Sequence, residues 1–90
     1  MFRVWGKIIK KNKLVQDTVV ELSDYNLSRT QKVYKALEMM CYEFDLAKPI
    51  WLELNKKDFI QNARTRFTQD CFIEVIDFDY LDFQVIEEDY

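Results

Sequence analysis

The chain opens with two runs rich in β-branched and aromatic residues, FRVWGKIIK at positions 2–10 and KLVQDTVVEL at 13–22. The polar pair Lys11-Asn12 separates them. Runs of this kind on either side of two polar residues predict two strands joined by a tight turn. The first 22 residues are therefore expected to form a β-hairpin.

A two-residue turn would also fix which residues of the hairpin face each other. Gly6 would lie inside the pairing, where its missing side chain would permit a bulge or a close backbone approach. The expected pairs are Ile9 with Leu14, Ile8 with Val15, Gly6 with Asp17, and Val4 with Val19.

An amphipathic helical pattern follows the hairpin. Ser28 with Gln31 three positions later has the arrangement of a capping box, which predicts that a helix begins at Arg29. The helix is expected to end before Lys48-Pro49, because proline disfavours helical geometry in the residue before it. Apolar residues recur at the spacing of one helical face: Val33, Leu37, Met40, Cys41 and Phe44.

The patterns after the proline are weaker. PIWLEL at 49–54 is expected to be extended, either as a short strand or as a packed segment. Asn55 followed by Asp58 has the pattern of a second helix cap, which predicts a helix of about two to three turns. The apolar face of this helix would consist of Phe59, Ile60 and Ala63.

Residues 68–76 fit a helix about as well as a strand, and a helix capped by Thr68 is favoured. A half-buried strand follows, because apolar and polar residues alternate with a period of two. Its inner side would carry Leu81, Phe83 and Val85, and its solvent side Asp82 and Gln84.

These elements predict one small α+β domain in the order β-β-α-β-α-(α)-β. The sheet would be mainly antiparallel, built from the N-terminal hairpin and the C-terminal strand, and packed on one long helix and one or two short ones. A chain of 90 residues that is 49% hydrophobic can bury one core and is too short for two domains.

Charge is unevenly distributed along the chain. Residues 1–15 carry five basic residues and no acid, whereas residues 67–90 carry eight acids and no base. The formal net charge of −3 conceals this separation. If the last strand pairs with the first, opposite charges would face each other across the ladder, each pair contributing up to about 1 kcal/mol.

The composition argues against several kinds of catalytic site. The chain has no histidine, so the commonest general base and the commonest zinc ligand are missing. Its single glycine cannot supply a phosphate-binding loop. Cys41 and Cys71 are expected to be reduced core thiols, since the N-terminus lacks the apolar core of a secretion signal. We therefore expect no enzymatic activity, no metal and no cofactor.

Seven residues are candidates for a partner-binding surface. Tryptophan is enriched at interface hot spots, although a core role is the more common one. The acids near the C-terminal end would form a wet, partner-facing surface, with a Mg²⁺ or Ca²⁺ site as the less favoured alternative. The arginines would either complement the dipole at a helix end or contact a ligand. The candidates are Trp5, Trp51, Arg64, Arg66, Asp77, Asp79 and Asp82.

The stretch YEFDLAKPIWLELNKKDFIQNARTRFTQDCFIEVIDFDYLDFQVIEED at 42–89 resembles a family of short, uncharacterised bacterial proteins. The resemblance covers about half of the chain. It implies a bacterial, cytosolic protein, and it brings no activity, cofactor or site residue with it.

The sequence thus favours a non-catalytic, cytoplasmic protein-interaction module with a protein partner, and leaves a homodimer open. An alternative is an acidic inhibitor from a mobile element that mimics nucleic acid, and a third, less favoured class is a carboxylate metal-dependent enzyme. Nucleic acid is a disfavoured partner, because the lysines of the hairpin suit an edge strand protected from aggregation and the isoelectric point is near 4.9. No run is long and apolar enough to predict a membrane span.

Overall fold

The computed structural model describes residues 1–88, and within them an antiparallel sheet and two helices make up the fold. The elements are β1 (Phe2–Lys10), β2 (Lys13–Leu22), α1 (Arg29–Glu43), α2 (Glu53–Asn62), β3 (Arg64–Thr68), a single 3-10 turn (Gln69–Cys71) and β4 (Tyr80–Glu87). The sheet has four strands in the order β2-β1-β4-β3. The strand pairings that join them are all antiparallel.

Both helices pack on one face of the sheet. Along β1, Val4 and Ile8 are buried on this inner face, whereas Trp5 and Lys7 point to the other side and are half-buried. The inner residues of the strands join the helices in one hydrophobic core, which includes Val4, Val20, Leu37, Met40, Phe59, Phe67, Leu81 and Phe83. The predicted α+β class, with one helix longer than the other, is confirmed.

Helix α1 begins where the sequence predicts. The Ser28 hydroxyl accepts a hydrogen bond from the Gln31 backbone N–H at 3.2 Å, and the Gln31 side-chain oxygen accepts one from the Ser28 N–H at 2.9 Å. The predicted apolar stripe is buried along its whole length: Val33, Leu37, Met40, Cys41 and Phe44.

The hairpin is confirmed, but most of its predicted register is wrong. Lys11 and Asn12 form the turn, both with positive φ, as the twist of a two-residue hairpin requires. A bulge between Ile8 and Ile9 then shifts the register by one residue. The shift places Val20 and Leu22 on the core side of the sheet. The observed pairs are Ile9 with Leu14 as predicted, and otherwise Ile8 with Gln16, Gly6 with Thr18, and Val4 with Val20.

Gly6 allows a close approach between layers. A Cβ atom at Gly6 would lie 2.1 Å from Sδ and 2.9 Å from Cγ of Met40, a fully buried residue of α1. The approach predicted at this glycine exists, and the neighbour is a helix side chain.

The segment before α2 is packed but forms no strand, so the strand predicted at 49–54 is absent. Helix α2 begins before Asn55, which is therefore not its N-cap. The buried Asn55 side chain instead accepts a hydrogen bond from the Leu52 N–H at 3.0 Å and donates to Thr65 Oγ1 at 2.9 Å. Of the predicted apolar face, Phe59 is buried, while Ile60 is 83% exposed.

The remaining strand of the sheet, β3, lies where the sequence predicted the end of a helix. Ala63 ends α2 in the left-handed conformation, with φ of 52°. The helix favoured at 68–76 is reduced to the 3-10 turn, which starts after Thr68. Beyond the turn, the Gln69 side chain donates to the Glu74 carbonyl and accepts from the Ile76 N–H, both at 2.8 Å. These bonds hold the segment in a loop.

Candidate functional site

A cleft between α1 and α2, here called the aromatic cleft, is built around Trp51. Its volume is about 260 Å³. Two parts of its rim are strongly exposed, since Tyr34 is 52% and Ile60 83% accessible. The lining residues are Arg29, Thr30, Val33, Tyr34, Trp51, Lys56, Phe59 and Ile60.

Trp51 packs against four other aromatic rings in this cleft. Its ring meets Phe67 at 5.0 Å, Phe59 at 5.5 Å, and both Tyr34 and Phe83 at 6.0 Å between centroids, each edge to face. Edge-to-face pairs of this kind are favourable beyond the area they bury. Among residues 1–88, the buried indole N–H of Trp51 has no hydrogen-bond acceptor. The half-buried Trp51 therefore belongs both to the core and to the wall of the cleft.

The charged groups that line the aromatic cleft are all positive. The Arg29 guanidinium lies 5.3 Å from the centroid of the Phe59 ring and binds Glu88 through Nε at 2.9 Å. The Lys56 ammonium pairs with Glu53 at 3.4 Å, in a contact between exposed groups. The two acids are not among the lining residues, so the cleft combines aromatic walls with two cations.

Trp5 lies apart from this cleft, on the outer face of the sheet. Its indole N–H donates to Asp17 Oδ2 at 3.0 Å, and the Lys7 ammonium lies 4.0 Å from its ring centroid. Both contacts are with neighbours on the sheet, so its polar group and its ring face are already in use.

Asp82 was predicted to face solvent, and this is wrong. Its side chain is only 3% exposed on the outer face. It accepts hydrogen bonds from Nε and Nη2 of Arg64 in β3, the first at 3.0 Å, and the Lys7 ammonium of β1 lies 3.6 Å away. The hydrogen bond from Arg64 to Asp82 raises the pKa of Arg64 above its ordinary value. Asp82 is buried because β4 is a central strand, with a basic residue on each neighbouring strand.

The two arginines were expected at a helix end, and both lie on β3 instead. Arg64 is bound to Asp82. Arg66 is exposed, and its guanidinium stacks 4.7 Å from the Tyr80 ring centroid. The conditional prediction of charge pairing between the first and last strands is confirmed, since Lys7 faces Asp82 and Arg3 faces Glu87.

Asp77 and Asp79 are exposed, as expected for acids that precede the buried stretch. Asp79 has a structural role that the sequence did not reveal. One of its carboxylate oxygens accepts a hydrogen bond from the Lys11 N–H at 2.8 Å, and its own N–H donates to the Ile9 carbonyl at 2.9 Å. It therefore ties the hairpin turn to the start of β4. Within residues 1–88, no three acids or cysteines are placed together to hold a metal ion.

Of the seven candidates, the structure brings Trp5, Arg64, Arg66 and Asp82 together on the outer face of the sheet, and leaves Trp51 in the aromatic cleft. The other cleft residues were missed by sequence analysis. The sequence does contain a signal for some of them, namely pairs of residues four positions apart, which lie on the same side of a helix one turn from each other. Such pairs are Thr30 with Tyr34 on α1 and Lys56 with Ile60 on α2.

Comparison with known proteins gave no relative: no protein-family model matches the chain, and neither does any curated protein or solved structure. Neither helix in residues 1–88 has the length and apolar character needed to cross a membrane.

Proposed function

We propose that this chain is a small, non-catalytic protein-interaction module that acts in the bacterial cytoplasm and binds its partner in the aromatic cleft. The observation that carries the proposal is the cleft itself, in which Trp51 and Tyr34 line a concave surface beside two cations. Tryptophan, tyrosine and arginine are the residues most enriched at interface hot spots.

The exposed apolar side chains around the cleft support this proposal. Ile60 is 83% exposed on α2, and Tyr34 is 52% exposed on α1. Exposed apolar groups clustered beside a pocket are typical of interaction sites, whereas single ones are ordinary.

The charge of the cleft defines the partner. Arg29 and Lys56 line it without any acid among the lining residues. A partner segment that inserts an apolar side chain between them and carries Asp or Glu beside it would complement both features.

The geometry gives less support to an acidic mimic of nucleic acid. The carboxylates of residues 70–89 would stand in for phosphates in such a mimic, and they include Asp77, Asp79 and Asp82. Of these three, Asp82 is buried in ion pairs and Asp79 binds the hairpin turn. Asp77 alone of the three is exposed without a hydrogen bond or ion pair among the described residues. A row of free carboxylates that stands in for phosphates is therefore not formed by these three.

Two matched substitutions test the proposal. Ile60→Asp places an acid in the cleft, whereas Ile73→Asp makes the same change at a residue that is 88% exposed and does not line it. Both side chains are exposed, so neither variant should unfold. Trp51→Ala is unsuitable, because it would remove four ring contacts from the core.

Immobilised wild-type chain and both variants are used to capture proteins from bacterial lysate, and the captured protein is then purified and titrated by calorimetry. We expect Ile60→Asp to weaken binding by roughly tenfold or more, and Ile73→Asp to leave it unchanged. Higher salt should weaken binding only modestly, because Arg29 and Lys56 are already paired with Glu88 and Glu53 and the rest of the contact is apolar. Equal binding by the two variants, or a steep loss of binding with salt, would refute the aromatic cleft as the site.

A further inference from the structure

We infer that this chain forms a two-fold symmetric dimer through the free edge of β2, with the lysine end of each β2 seated against an acidic groove of the other copy. This surface lies on the opposite side of α1 from the aromatic cleft, and the inference does not depend on the proposed function.

Strand β2 is an unusually open edge. It is the outer strand of the sheet, paired with β1 on one side, and residues 13–17 are exposed on both faces. Leu14 and Val15 there are 53% and 59% exposed. A long apolar edge strand has unpaired N–H and C=O groups and tends to pair with another strand. The first half of β2 therefore projects beyond the core as a strand without a covering layer.

A groove of about 550 Å³, here called the acidic groove, runs between the other half of β2 and helix α1. Val19, Met39 and Tyr42 give it apolar walls, and Tyr42 is 89% exposed. Groups of this kind beside an edge strand are typical of sites that accept an added strand, whose alternate side chains then enter the groove.

The charges of the acidic groove are all negative. Glu21, Glu38 and Glu43 line it with no basic residue among the lining groups. Their contacts with the rest of the chain are peripheral: Glu21 lies 3.6 Å from Arg3, Glu38 lies 3.9 Å from Lys48. Glu43 accepts a hydrogen bond from the Thr18 hydroxyl at 2.8 Å. The groove should therefore attract an extended segment that combines apolar and basic residues.

The chain itself carries such a segment at the tip of the hairpin. Lys10, Lys11 and Lys13 are exposed there, next to Leu14 and Val15. In a two-fold dimer the two β2 strands run antiparallel, so the start of each strand meets the end of the other. The lysine end of each copy would thus lie against the acidic groove of the other copy, so the dimer would contain this contact twice. Between the two contacts, apolar residues of one β2 strand would face apolar residues of the other.

The hairpin lysines select this arrangement over others. Lysines on an edge strand oppose pairing whenever like ends meet. In the antiparallel dimer they meet carboxylates, and at the middle of the strand the Asp17 carboxylate already accepts a hydrogen bond from the Trp5 indole. Electrostatics thus favours one orientation of the two copies.

Reciprocal charge reversal tests the inference. Lys13→Glu gives a chain with an acid at both ends of β2, and Glu21→Lys gives one with a base at both ends. We expect wild type to have twice the 11.0 kDa mass of one chain by light scattering, and each variant alone to dissociate roughly 10- to 30-fold more readily. An equimolar mixture of the two variants should restore the dimer, because every opposed pair is again of opposite sign. Lys57→Glu on α2, which does not line the acidic groove, is the control and should remain dimeric.

Circular dichroism confirms that each variant is folded before its mass is interpreted. Hydrogen exchange of the wild type provides a measurement that needs no variant, because pairing should slow the exchange of β2 amides as concentration rises. A monomeric mass at every concentration, concentration-independent exchange in β2, or variants as dimeric as wild type would each overturn the inference.

Discussion

The substitution Gly6→Ala tests the close approach of the sheet to α1 at Met40. The added Cβ would lie 2.1 Å from Sδ, 2.6 Å from Cε and 2.9 Å from Cγ of Met40. Movement of the flexible end of Met40 would relieve the first two contacts. The contact with Cγ requires the whole side chain to move, and Met40 is fully buried in the core.

The magnitude follows from two opposing effects. Overpacking of a core costs about 1–3 kcal/mol. Alanine also restricts the unfolded chain, which returns about 0.4–1 kcal/mol where the backbone suits it, and Gly6 does not have a positive φ. We therefore expect Gly6→Ala to lower the free energy of unfolding by roughly 1–2 kcal/mol. Met40→Ala alone should lower it by about 2–5 kcal/mol through the cavity it creates.

Urea unfolding of the single and double variants separates the contact from general effects. In the Gly6→Ala, Met40→Ala double variant the new methyl group enters the space that Met40 leaves. The combined loss should be smaller than the sum of the two single losses by about 1–3 kcal/mol. Gly6→Ala with Met39→Ala is the matched control and should be additive, since Met39 is 42% exposed. Additive losses in the Met40 pair would show that the two layers do not approach as described.

Three further outcomes are expected. Leu37→Ala and Phe83→Ala should each lower the free energy of unfolding by about 2–5 kcal/mol, because both side chains are buried in the one core, and wild-type melting of either variant would contradict that packing. Asp82→Asn should cost about 1–3 kcal/mol in urea unfolding, since it removes the negative charge between Arg64 and Lys7 while keeping the side chain's size; an unchanged midpoint would count against a role of this ion pair in stability. Burial raises the pKa of the Cys41 thiol from 9.0 to about 11. As the pH rises, the thiol therefore ionises first in the unfolded chain, and the free energy of unfolding should fall by up to about 1.4 kcal/mol per pH unit between pH 9 and pH 11. The Cys41→Ala variant should lose this part of the pH dependence.

The elements that sequence analysis predicted well are those with signals close together in the chain. The capping box at Ser28 and the stripe from Val33 to Phe44 lie within one helix, and the hairpin turn lies between its own two strands. Strand β4 was also found, since its alternation of Leu81 and Phe83 with polar residues is local.

The errors arose where distant residues decide the outcome. Strand β3 has a clear alternation, with Thr65 and Phe67 buried and Arg66 exposed, but Ala63 suggests a continuing helix. The helix ends at Ala63 in a left-handed conformation. Such a position is usually occupied by glycine or asparagine, so an alanine there gives no sequence signal for the end of the helix. The burial of Asp82 depends on β4 being placed between β1 and β3, which its own residues do not specify.

The candidate site was also predicted only as far as local signals reach, and the rest depends on residues that are distant in the chain. Trp51 was singled out by residue type alone, while its role as the wall of a cleft required α1 and α2 to meet around it. Ile60 was assigned to the apolar face of the second helix with Phe59 and Ala63, and its exposure follows from the direction in which α2 lies on the sheet.

The two proposed surfaces use opposite flanks of α1 and carry opposite charges. The aromatic cleft is lined by Arg29 and Lys56, whereas Glu38 and Glu43 line the acidic groove on the other flank. A two-fold dimer through β2 would leave both copies of the cleft outside the interface, so one dimer would present two identical binding sites. A partner with two binding segments would then bind the dimer more tightly than the monomer, although each contact is unchanged. Lys13→Glu would remove that gain without altering the affinity of a single cleft, and Ile60→Asp would weaken each cleft without altering the mass of the dimer.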